Sequence, residues 1–353
     1  MAVHKAAEKH TAFQKLPIVD ISLLSSEDYS ERKKVADELE KAASEVGFLY
    51  ISGHGIPKEI IERMKAKTRE YFLQPFDKKM NDYIGQSVNH SGYVPEGEEQ
   101  LSSQYTAVDN KEAYDVNCDY LSETGRRPML GPNQWSVLPR FKEDIKAYYD
   151  AVIELSHRLF KGFSLALGLP EETFEPLIKS PPSQLRLIHY PYNEEAPENR
   201  PGIGAHTDYE CFTILLPTAP GLEVLNGAGE WIDVPLVEDS FVINIGDMLE
   251  ILSNGHFVAT SHRVRQVAEE RYSFPLFCSC DYDTVISPLA ELISPDSPNK
   301  YTPLMCGDHL YAQTIQSFSY LKKRLASGEL KLPEGSKKLS SFGREAQVKK
   351  VSL

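Results

Sequence analysis

Two histidines and one carboxylate are spaced for metal chemistry. In the segment GIGAHTDYE, His206 and Asp208 lie two residues apart, and His262 follows in ATSHRVR after 53 intervening residues. In extended backbone, residues i and i+2 project to one face. An imidazole nitrogen and a carboxylate oxygen can then reach one ion, with His262 supplied by a later segment. Two His and one carboxylate suit Fe(II) and leave three positions open for dioxygen and an oxidisable ligand. No thiolate completes the set, which argues against structural zinc. The alternative is an Asp cap beside two hydrogen-bonded surface histidines.

A second pair follows closely. Arg271 and Ser273, in RYSF, are again two apart. A guanidinium fork and a hydroxyl on one strand face form a clamp for a carboxylate, and the Tyr190 phenol in HYPY can donate to the same group. Alone, Arg271 reads as an ordinary ion-pair arginine. Beside the metal set it suits a carboxylate-bearing co-substrate.

These residues require short extended segments, and residues 185–280 carry them: 185–190, 211–216, 222–225, 231–234, 240–245, 257–264 and 272–280, separated by Gly, Pro and Asn. Seven short strands divided by turns suggest an antiparallel sandwich or barrel of jelly-roll type. Upstream, 16–22 and 48–57 read as strands. Val35, Leu39, Ala42, Ala43 and Val46 recur at helical spacing before Gly47, and Ile60, Ile61, Met64, Thr68, Tyr71 and Phe72 mark a second helix. Residues 84–135 read as loops, 139–168 as a long helix closed by Gly168 and Pro170, and 307–326 as one further helix before a Lys-rich tail. The expected division is an N-terminal region of helices and loops (16–135), connecting helices (136–180), a β core (181–285) and a C-terminal helix and tail (286–353). The fold class is mixed α/β with an all-β core.

Composition narrows the function classes. The chain has 353 residues, 41% hydrophobic and 25% charged, with a net charge of −13. That charge opposes a general nucleic-acid or anionic-membrane surface. No apolar run reaches membrane length, and the first residues lack a secretory h-region. Five scattered cysteines, Cys118, Cys211, Cys278, Cys280 and Cys306, suit a reducing compartment. A cytoplasmic monomer or weak dimer is expected. There is no G-x-S-x-G elbow, P-loop or G-x-G-x-x-G. Cys278 and Cys280 read as core residues, and His54, His189 and His256 as structural or surface polar groups.

In LPIVDIS, GFLYISGHGIP, the H-x-D segment, GEWIDVPLVEDSFVINIGDMLEILSNG, SHRV and RYSFPLF, the chain resembles the isopenicillin N synthase-like family of Fe(II)/2-oxoglutarate-dependent dioxygenases, from about Leu16 to Gln316. The resemblance implies a double-stranded β-helix (cupin-like jelly roll) with flanking helices. It implies His206, Asp208 and His262 as iron ligands, and Arg271 and Ser273 as binders of the distal carboxylate of 2-oxoglutarate with Tyr190 as a further contact. Dioxygen would be the oxidant and ascorbate an accessory reductant. Two features depart from the pattern. Ile188 stands where many relatives have Asn, two residues before the tyrosine. His90 stands where the penicillin-forming members, which use no 2-oxoglutarate, have Arg.

The expected activity is oxidation of a small organic molecule in specialised metabolism by hydroxylation, desaturation, cyclisation or ring expansion. Two rivals share the residues: a co-substrate-free iron oxidase holding its substrate's carboxylate on Arg271, and a non-catalytic binding protein on the same barrel. The substrate pocket is expected among His90, Tyr93, Tyr209, Phe212, Leu225, Pro275 and Phe277, with loop residues 84–120.

Overall fold

The computed structural model describes residues 12–99, 111–119, 127–192, 201–265 and 269–336. The Lys-rich tail, the first eleven residues and part of the expected substrate loop lie outside them. In chain order the elements are β1 (Ile18–Asp20), α1 (Tyr29–Glu45), β2 (Phe48–Ser52), α2 (Lys58–Phe72), α3 (Phe76–Lys79), β3 (Gly92–Val94), β4 (Glu112–Val116), α4 (Phe141–Ala166), β5 (Gln184–Tyr190), β6 (Pro201–His206), β7 (Phe212–Pro217), β8 (Leu222–Leu225), β9 (Trp231–Asp233), β10 (Phe241–Ile245), α5 (Asp247–Leu252), β11 (His262–Arg265), β12 (Arg271–Cys278), β13 (Val285–Ile286), β14 (Leu304–Met305), α6 (Cys306–Ser317) and α7 (Ser319–Ala326).

The strands form a major sheet ordered β1-β2-β10-β7-β12-β5-β4-β3 and a minor sheet ordered β6-β11-β8-β9. This is the expected jelly-roll core with flanking helices. The major sheet buries both faces. On one, Phe212 meets Phe160 and Phe163 of α4 at ring distances of 4.7 and 5.2 Å, and Phe274 meets Tyr148. The other side faces the minor sheet, where Ile188, Tyr190, Leu215 and Val242 share a cluster with Ile203, Leu222, Val224 and Val264. Alternation along each strand assigns every residue to the barrel interior or to the helix side.

The N-terminal helices match their periodicity. α1 buries Val35, Leu39, Ala42 and Ala43. It ends where Gly47 takes φ +72°, with its Cα pressed so close to the Val258 carbonyl that a Cβ would sit 2.2 Å from that oxygen.

Four expectations needed correction. Residues 92–94 and 112–116 are strands that extend the major sheet to its edge, although their surroundings read as loop. β6, rich in Gly and Pro, gave no strand signal and pairs with β11. The strand expected over 257–264 begins only at His262, because its first half bonds elsewhere: Val258 N–H to Ala43 O, Ala259 N–H to Glu250 Oε2, and Thr260 Oγ1 to Val46 O. The single C-terminal helix breaks at Phe318 (φ −92°, ψ 132°), where Ser319 and Tyr320 donate their N–H groups to Glu98.

Candidate metal centre

His206 ends β6, and His262 opens β11 directly opposite it in register. Their ring centroids lie 4.2 Å apart. Asp208 sits just past β6 in the bend leading to β7, so the two histidines are on paired strands and the carboxylate on a turn. Asp208 Oδ1 is 3.5 Å from His206 Nε2 and 3.6 Å from His262 Nε2. These separations exceed hydrogen bonds and suit donors converging on one ion. Among the described residues this is the one His/Cys/Asp/Glu set whose ligand atoms all lie within 4.8 Å of one another.

Surrounding bonds orient each donor. His206 Nδ1 lies 2.8 Å from Gly204 O, which makes Nδ1 the protonated nitrogen and leaves the Nε2 lone pair toward the other donors. Burial, and then the neighbouring His262, push the His206 pKa down to about 4, so the ring is the neutral form a metal requires. Asp208 Oδ2 accepts from Thr213 Oγ1 and from Asn244 Nδ2 (2.7 Å). Although burial opposes its charge, these partners and the two imidazoles hold its carboxyl below the usual range.

The turn itself is pinned from the segment following β10. Asp247 N–H donates to Asp208 O and Gly246 N–H to Cys211 O, each at 2.9 Å. A Cβ on Gly246 would sit 2.2 Å from Glu210 O, so glycine is what lets these two backbones touch.

Arg271 opens β12 opposite Tyr190 and is only 1% exposed. Its Nε–H donates to Ala219 O at 3.2 Å, and its guanidinium lies over the Tyr190 ring at 4.8 Å. Among the described residues Nη1 and Nη2 are both buried with no hydrogen-bond partner, and burial lowers the Arg271 pKa against the opposing effect of Tyr190. A buried, unpaired guanidinium is costly unless an anion completes it. Ser273 shares its face by alternation, opposite Ile188. The arrangement fits the far carboxylate of a dicarboxylate.

The expected pocket residues separate by strand parity. Pro275 and Phe277 follow Arg271 and Ser273 on the interior face, and Phe277 stands across from Thr213. Tyr209, beside Asp208, sets its ring edge-on to His309 of α6 at 6.0 Å. Three expectations fail. Phe212 lies on the helix side against α4. Tyr93 packs with Tyr71 there and donates its hydroxyl to Glu112 at 2.6 Å. Leu225 has the outer parity of Glu223, which pairs with Arg263. His90 is buried, its Nδ1 2.6 Å from the Tyr320 hydroxyl and its ring edge-on to Phe318. It ties the barrel to the break between α6 and α7. Burial, aided by Arg186, pushes its pKa down to about 3 and keeps it neutral. His54 accepts from Ile56 N–H, His189 meets Glu112 and His256 meets Glu40, so each has a polar partner. Cys278 and Cys280 are core thiols.

Sequence reasoning missed a buried charge network on the interior face. Arg186 makes a two-pronged contact with Asp115 (both 2.8 Å) and reaches Glu99 at 2.8–2.9 Å, while Lys111 donates to Glu99 at 2.9 Å. Phe318 caps the guanidinium at 5.5 Å. Burial opposes the Glu99 charge, yet Arg186 and Lys111 hold its carboxyl well below the usual range. Arg186 in LRLIHY already had interior parity with Tyr190, but its partners come from distant segments. Arg186→Met would leave two buried carboxylates short of a cation and is expected to cost about 3–5 kcal/mol of stability. Denaturant unfolding checks this, and a loss below about 1 kcal/mol would refute the pairing.

Comparison with known proteins identifies the family. Residues 16–137 match the family model of the non-haem dioxygenase N-terminal region (described for morphine synthesis), and residues 181–279 match that of the 2OG-Fe(II) oxygenase superfamily. A homoarginine-6-hydroxylase of Arabidopsis thaliana is 36% identical over 79% of this chain and 89% of its own length. A 2-oxoglutarate-Fe(II) type oxidoreductase of Emericella nidulans is 32% identical over 88% and 93%. The crystal structure of a full-length Neurospora crassa protein in complex with alpha-KG shares the fold, with a TM-score of 0.75 at 23% identity over 90% of this chain and 98% of that one. The chain belongs to the 2OG-Fe(II) oxygenase superfamily and is a 2-oxoglutarate-dependent Fe(II) dioxygenase.

Proposed function

We propose that His206, Asp208 and His262 hold the iron, that Arg271 and Ser273 with Tyr190 hold the distal carboxylate of 2-oxoglutarate, and that the enzyme oxidises a small polar organic molecule in specialised metabolism, with hydroxylation the default outcome. The observation that carries the co-substrate assignment is the buried Arg271 fork, whose two terminal nitrogens have no hydrogen-bond partner among the described residues. When bound, iron and 2-oxoglutarate supply the oxidising chemistry, in which the keto acid is decarboxylated to succinate as dioxygen is reduced.

The chain's own residues provide binding and order. Arg271 fixes one end of the co-substrate through a fork that an ammonium cannot match. The Gly204 carbonyl keeps the proton of His206 on Nδ1, away from the metal face. Pro275 and Phe277 continue the same interior face, where they can exclude water from the reacting centre. The relation to hydroxylases named for homoarginine supports a substrate with polar groups of its own.

Anaerobic addition of 2-oxoglutarate to the Fe(II) protein is expected to produce the visible charge-transfer band of a chelated 2-oxo acid, and turnover to release one succinate per product. A colourless complex, with oxygen uptake but no succinate, would overturn the co-substrate assignment.

A further inference from the structure

Two donors outside the ligand set hold the carboxylate of Asp208. We propose that Thr213 and Asn244 are positioning residues that confine Asp208 to ligation through Oδ1 alone, which keeps a third coordination position open. The proposal rests on the ligand assignment above.

A carboxylate can bind a metal through one oxygen or two. With two imidazoles, one-oxygen ligation leaves three positions. A chelating 2-oxo acid fills two of these and dioxygen needs the third, so a second aspartate oxygen on the metal would close the reaction. The structure opposes that outcome. Oδ1 faces both histidine Nε2 atoms, whereas Oδ2 takes the Thr213 hydroxyl and the Asn244 amide. Thr213 and Asn244 are direct partners in the β7–β10 ladder, so the sheet itself fixes the spacing of the two donors. Both are 2% exposed, and no bulk water replaces them if Asp208 turns. The Asp208 carbonyl is tied to Asp247 N–H, which fixes the backbone from which the side chain extends. Turning Oδ2 toward the metal would strand a buried hydroxyl and a buried amide together.

Mn(II) in place of Fe(II) gives a readout independent of turnover. Water-proton relaxation of the Mn(II) protein without 2-oxoglutarate counts exchangeable metal-bound waters, and electron paramagnetic resonance of free Mn(II) gives occupancy. The unsubstituted protein is expected to bind about one Mn(II) carrying about three waters. In Thr213→Val, which keeps shape but loses the donor, and in Asn244→Ala, the count is expected to fall to about two as Oδ2 joins the metal. Thr213→Ser is expected to restore it. If one variant fails to fold, the other carries the test. An unchanged count in a folded variant would overturn the proposal at any affinity, as would complete loss of Mn(II) from both folded variants. Failure of the unsubstituted protein to bind Mn(II) would instead remove the ligand assignment itself.

Discussion

His206→Ala and His262→Ala are each expected to lower Fe(II) affinity by more than about 100-fold and to abolish turnover. Loss of even an outer hydrogen-bonding partner of a metal-binding histidine costs about 10–100-fold, and these substitutions delete the donor. Three donors that converge within 4.8 Å across two strands and a turn leave no fourth His, Cys, Asp or Glu among the described residues to replace one. The fold should survive. Removing an imidazole relieves crowding among three buried titratable groups, and the β6–β11 pairing rests on backbone bonds. Anaerobic Fe(II) titration followed by metal analysis checks the prediction. Wild-type affinity in either variant would move the metal site elsewhere.

The second large effect has two parts of opposite sign. Arg271→Met is expected to weaken 2-oxoglutarate binding by about 2–5 kcal/mol, or roughly 30- to 5,000-fold, as when a buried charge pair loses one member. The same substitution is expected to leave the ligand-free protein as stable as the parent or more so, by up to about 4 kcal/mol, because it replaces a buried cation with an apolar side chain. Without the co-substrate, that cation has no hydrogen-bond partner at Nη1 or Nη2 among the described residues. Calorimetric titration of 2-oxoglutarate and thermal unfolding of the ligand-free variant measure the two parts separately. A variant that keeps parental 2-oxoglutarate affinity would sink the clamp. One that unfolds well below the parent would show that Arg271 supports the fold rather than the ligand.

The closeness of His206 to Asp208 and the shared face of Arg271 and Ser273 were legible in the sequence because each depends on local geometry. Arg271 and Ser273 lie two apart within one strand and must share a face. His206 and Asp208 turn out to meet through a bend rather than a continuous strand, yet remain close enough to converge. The helices α1 and α2 were visible in their periodicity for the same reason. β3, β4 and β6 were not, because each is short and set among turn-forming residues, so that only the pairing to β4, β5 and β11 defines it as a strand.

What the sequence alone determined is which side chains share a face; what only the tertiary structure decided is which face looks inward. In most half-buried sheets hydrophobicity answers that question, since one face is wet. Here both faces of the major sheet are buried, one against α4 and one inside the barrel, and apolar residues occupy both. Phe212 and Phe277 are equally plausible pocket walls as letters, yet one packs on α4 and the other stands beside Thr213 in the interior. Tyr93 went astray for the same reason. The partners of buried charges belong to the same class. Arg186 finds Asp115 and Glu99, and Asp208 finds Asn244, across separations that no periodicity encodes, because strand order and register place them together only after the barrel closes.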